Sequence, residues 1–157
     1  MNNKFELTAM AVKHAEEALA TLKEFTDTQY KVKGATMLDQ IIDYITHTLE
    51  NVDYMCCGCK SYHLSLSNMR DYFTFYIYDG GAISSGYPAF TITKDGKVKH
   101  KIELAEWMML RLVDEWAAFK KELDIAIRFT LNERTKSINN QLAHIGYVNE
   151  KLEKWEV

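Results

Sequence analysis

The sequence predicts an α+β fold: two N-terminal helices, an antiparallel sheet of about four strands over roughly residues 62–102, and two long C-terminal helices. Three observations predict it. Five of the seven glycines and the only proline fall between Gly58 and Gly96, and these two residue types punctuate local structure. The flanks on either side run for long stretches without a breaker and carry apolar residues at steps of three and four. In the middle the apolar period changes to two, with dense aromatic and β-branched residues.

Each element follows from its own pattern. Phe5, Ala9, Val12, Ala15, Leu19 and Leu22 place a helix over residues 4–26. The polar stretch Thr26–Gly34 interrupts it, and a second helix runs from about residue 35 to 52 through Leu38, Ile41, Ile42, Ile45 and Leu49. From Tyr62, Leu64 and Leu66 alternate with polar residues. Asn68–Asp71 makes a turn. Tyr72–Tyr78 has the composition of a central strand, with Phe73, Phe75 and Ile77 on one face and Tyr72, Thr74, Tyr76 and Tyr78 on the other.

The last hairpin can be set in register. A two-residue Asp95-Gly96 loop would put Phe90 and Ile92 on the face of the lysines. A three-residue loop with Gly96 as the bulge pairs Thr93 with Lys97, Ile92 with Val98 and Phe90 with His100. Phe90, Ile92, Val98 and Ile102 then share one face, and Lys97, Lys99 and Lys101 the other. A one-residue slip flips every side chain, so hydrophobic consistency selects the second register. Beyond it, Met109, Leu112, Trp116, Phe119, Leu123 and Ala126 form one helical stripe, with Trp107 and Trp116 as anchors. A single helix from Glu103 to Trp155 would be about 80 Å long. A break near Asn132–Asn140 is therefore expected, in a stretch of residues able to cap.

The length of 157 residues fits one domain, 1–157, with 133–157 as a helical interaction tail. An apolar share of 47% supports a core. Nineteen basic against 22 acidic residues give −3, which argues against a generic polyanion binder. That value averages an acidic 1–59 (5 basic, 9 acidic), a basic 60–101 (6 and 3) and an acidic 102–157 (8 and 10). No run approaches the roughly 18 apolar residues of a membrane span, and no signal layout opens the chain. An odd count of three cysteines argues against a disulfide scaffold. A cytoplasmic protein is expected, without membrane contact.

Four features could carry chemistry or binding. Cys56 and Cys59 have the spacing with which two thiolates grip a tetrahedral zinc, and His63 offers a third ligand, but no second cysteine pair exists. Reduced thiols in a loop explain the same residues, and the expectation for cofactors is none. His14-Ala15-Glu16 followed by Cys56-x-x-Cys59 resembles the signature of zinc-dependent cytidine deaminases, whose His and two Cys hold zinc while the Glu shuttles protons. The resemblance covers five residues. Met55 stands where that family has proline, only 13 residues precede His14, and Lys60–Ser67 reads as strand where the family has a helix.

Lys97, Lys99 and Lys101 on one sheet face with Tyr72, Tyr76 and Tyr78 would suit single-stranded nucleic acid, or would protect an edge strand from pairing. In the tail, Leu131, Ile138, Ile145 and Leu152 recur every seven residues, and Leu142 and Asn149 take the intervening seam positions. A seam asparagine fixes register at some cost in stability. Val148 and Trp155 widen the stripe.

No phosphate loop, paired-histidine metal helix or nucleophile elbow is present in the sequence, which argues against an enzyme. The expected function is a non-catalytic accessory protein that binds another protein, as an oligomer. Accessory factors of phages or mobile elements that inhibit a host system are often of this motif-poor kind. The alternatives are a zinc-bearing or nucleotide-acting enzyme centred on Cys56, Cys59 and His63, and a nucleic-acid binder using the lysine–tyrosine face.

Overall fold

The computed structural model describes residues 3–50, 52, 55, 56, 58–80 and 86–155. Two long helices enclose a five-stranded meander: α1 (Asn3–Leu49), β1 (Cys59–Ser61), β2 (Leu64–Asn68), β3 (Tyr72–Tyr78), β4 (Gly86–Thr93), β5 (Val98–Lys99) and α2 (Glu106–Glu153). Every neighbouring pair is antiparallel, in the order β1-β2-β3-β4-β5. The α+β class holds, and three finer expectations do not.

The N-terminal flank is one helix, not two. The stretch 26–34 is polar but contains no proline, and its threonines do not compete with the helix. Thr28 and Thr36 turn their hydroxyls back to donate to the Glu24 and Val32 carbonyls at 2.9 and 3.1 Å, a local bond compatible with continued helix. The C-terminal flank is likewise unbroken through Asn132–Asn140, where Thr135 donates to the Leu131 carbonyl at 2.9 Å. A helix of 48 residues is about 72 Å long, and it simply outruns the body. The sheet has a fifth strand because Cys59–Ser61 folds back on β2, with Ser61 opposite Leu64. The turn between them places Tyr62 at φ 49°, a left-handed conformation that usually recruits glycine. No glycine or asparagine stands there to announce it.

The hairpin register is the expected one where it forms: Ile92 pairs with Val98, and the Thr93 amide donates to the Lys97 carbonyl at 2.9 Å. The expected Phe90–His100 pair is not part of the ladder. Gly96 supplies φ 82° in the loop. The Thr93 hydroxyl donates to the Asp95 carboxylate and holds that carboxyl below its ordinary range. The ladder ends at Lys99, because His100 turns to φ 57°. The chain then folds under the sheet, and the Ile102 amide donates to the Ala89 carbonyl at 3.0 Å.

The helices cover one sheet face. Leu38, Ile41, Ile42, Ile45 and Leu49 of α1 join Met108, Leu112, Phe119, Leu123 and Ile127 of α2. Leu64, Leu66, Phe73, Phe75, Ile77, Phe90 and Ile92 point up into them. Phe75 is the centre: it stacks on Phe90 at 5.3 Å and meets Phe119 and Trp116 edge-on at 5.4 and 6.5 Å. Such aromatic pairs add about 0.5–1.5 kcal/mol each beyond area burial. Trp107 sits against Tyr87 at 5.3 Å.

The two helices cross the body in the same direction. Gly34 lies against Met109, Tyr44 meets Trp116 at 5.5 Å, and Lys120 stands over the Tyr44 ring. The approach at Gly34 is close: a Cβ there would lie 2.7 Å from the Met109 sulfur. This parallel arrangement has a geometric consequence. The first part of α1 leaves the body beyond the start of α2, and the last part of α2 leaves beyond the end of α1. Two helical arms therefore project from opposite ends.

Candidate functional site

The arms hold most of the exposed apolar surface. The tail arm begins after Thr130, the last buried residue of α2, whose hydroxyl accepts the Cys56 amide at 3.2 Å. From Leu131 onward every described residue except the half-buried Glu133 is exposed. Ile138, Leu142, Ile145, Leu152 and Trp155 are 53–72% exposed, Leu131 is 42%, and Asn149 is exposed beside them. Six of the seven residues expected in the interaction tail thus lie on α2 where it runs past the body, and Trp155 stands two residues beyond the helix end. They do not pack on the body or on the first part of α2.

The N-terminal arm leaves its apolar stripe uncovered: Phe5, Leu7, Met10, Val12, Leu19, Leu22, Phe25 and Val32 are all exposed. Their spacing is what a core-facing helix shows, so the sequence signal was present and its destination was not. The reason is the unbroken run of α1, which carries residues before about Gly34 past the end of the sheet.

The outer sheet face divides the proposed lysine–tyrosine group. Lys99 stands in a row with Thr91, Thr74 and Ser67, while Thr93 links Lys97 to Tyr72. Tyr76 and Tyr78 lie beside each other at 6.3 Å, and the lysine they meet is Lys60, 4.8 Å above the Tyr78 ring. Lys101 does not belong to the row. The turn at His100 takes it off the sheet, and its ammonium pairs with Asp39 of α1.

The metal group is not assembled. Cys59 is buried in β1 opposite Leu66, and Cys56 is exposed. Cys57 lies outside the described residues. His63 points to α2, where its Nδ1 stands 2.8 Å from the Glu115 carboxylate. The second oxygen of Glu115 is buried and has no hydrogen-bond partner among the described residues. Arg111, one turn earlier, donates to the Asp79 carbonyl at 2.8 Å. These contacts fasten the β1–β2 turn and the end of β3 to α2. Among the described residues, no three of His, Cys, Asp or Glu stand where they could share a metal ion.

His14 is equally remote from the cysteines. It lies on the N-terminal arm, 3.8 Å from Glu17 and exposed. Twenty helical residues, about 30 Å, separate it from the point where α1 meets the body. The deaminase-like set is therefore not brought together.

Among the described residues, no helix is long and apolar enough to cross a membrane. The chain matches no protein-family model, and no curated protein and no solved structure matches it.

Proposed function

We propose that this is a non-catalytic protein-binding accessory protein that acts as an oligomer, with the two helical arms as its binding surfaces. The observation that carries the reading is the exposed apolar surface of the arms. Large contiguous apolar surface on a folded protein marks an interaction site, and an amphipathic helix is a standard way to present one. The body between the arms is a spacer that fixes their direction. A role of this type includes inhibition of a host system by a phage or mobile-element factor, which would act by occupying its target.

The other two readings have less support. A zinc-bearing or nucleotide-acting enzyme needs Cys56, Cys59 and His63 to converge. A nucleic-acid surface needs the three lysines in one row with the tyrosines. The binding reading is tested by using the full chain as bait in cells of its own source. Leu19→Glu with Leu22→Glu should release a specific partner at least tenfold while thermal unfolding of the body is unchanged. Failure to retain any protein, or retention insensitive to both arms, contradicts the reading.

A further inference from the structure

We infer that the partner of the tail arm is a second copy of this chain, paired in parallel so that Asn149 faces Asn149. This rests on the protein-binding reading and names one of its partners. Three observations carry it.

First, the tail cannot account for its own helicity. From Leu131 its described residues are exposed, apart from the half-buried Glu133, and it holds Asn132, Asn139, Asn140, Asn149 and Gly146 together with β-branched Thr135, Ile138, Ile145 and Val148. These are poor helix formers, and in proteins most helical stability comes from packing an apolar face rather than from propensity. A packed partner supplies what propensity does not.

Second, the pattern is that of a coiled-coil seam, with a polar asparagine of the kind that sets register and oligomer state. Leu131, Ile138, Ile145 and Leu152 repeat at seven, and Thr135, Leu142 and Asn149 repeat at seven between them. A strict seven-residue repeat keeps one narrow face turned to a supercoiled partner. A lone asparagine in such a seam is satisfied by its own counterpart across a parallel pair. Val148 and Trp155, 38% and 72% exposed, stand beside the seam.

Third, the charges suit self-pairing. Residues 137–149 contain no Lys, Arg, Asp or Glu, and His144 lies away from the seam. Two identical helices placed side by side face no like-charge repulsion there. A charged heterologous partner would find nothing in this segment to recognise.

The experiment is a charge exchange at position 149, read as mass by light scattering of the full chain. The wild type should weigh twice the 18.2 kDa chain. Asn149→Lys and Asn149→Glu should each be monomeric, because like charges would meet in the seam. An equal mixture of the two should recover the doubled mass. Circular dichroism and thermal unfolding report whether each variant keeps the folded body. A monomeric wild type across the micromolar range overturns the inference. So does a mixture no heavier than its components, since it denies that position 149 faces itself. The two proposals fail separately: a monomer that still captures a partner through its N-terminal arm keeps the protein-binding part of that reading and loses its oligomer. A dimer that captures nothing retains only this inference.

Discussion

The two arms look alike and are held as helices by different physics. In the N-terminal arm, twelve of residues 9–24 are Ala, Leu, Glu or Lys, all strong helix formers. Propensity alone carries much of that helix. The tail arm has the reverse composition, rich in Asn and β-branched residues with Gly146 at its middle. It has side-chain bonds of its own, Lys136 to Glu133 at 3.2 Å and Lys154 to Glu150 at 2.9 Å. Exposed pairs of that kind add at most about 0.5 kcal/mol each. An arm that is helical alone is free to be recognised by a different partner. An arm that is helical only when paired reports its own association.

The strongest way to break the comparison is to place matched charges on both stripes. Ile138→Asp with Ile145→Asp should halve the mass and melt most of the tail, seen as a loss of helix signal from roughly 20 residues. Leu19→Asp with Leu22→Asp should leave the mass and most of the helix signal in place. Equal losses from the two variants would erase the distinction between the arms.

A smaller effect separates the two helical glycines. At Gly146 a Cβ meets nothing within 4 Å, so Gly146→Ala should stabilise the tail by about 0.5–1 kcal/mol. At Gly34 the buried Met109 side chain must move, so Gly34→Ala should gain less or lose stability. Thermal unfolding of the two variants checks the order.

How far the sequence could be read depended on whether a feature was local. The inward stripe of α1 from Leu38 to Leu49, the alternation of β3 and the register of the Gly96 hairpin are set within a few residues, and each stands as expected. Neither expected helix break forms, because polar residues alone lack proline's power to stop a helix. Thr28 and Thr135 show that a hydroxyl bonded to the carbonyl four residues back lets the helix continue. Strand β1 was hidden by its length of three residues and by a turn built on Tyr62 instead of glycine.

The site was legible in part for the same reason. The seven-residue repeat from Leu131 to Leu152 identifies a stripe from spacing alone. That Phe5 to Val32 would be exposed depends on where the sheet ends, which no local pattern records. The destinations of His63 and Lys101 depend on Glu115 and Asp39, 52 and 62 residues away. Spacing could align them with cysteines or with a lysine row, but only the long-range fold decides their partners.

The central claim is that the tail arm folds through pairing while the N-terminal arm does not. Residue-resolved hydrogen exchange at protein concentrations above and below the dissociation midpoint tests it most directly. The account predicts that amides over 133–153 lose protection on dilution while those over 9–30 keep theirs. Protection of the tail that is the same at both concentrations, with the chain monomeric at the lower one, would contradict it.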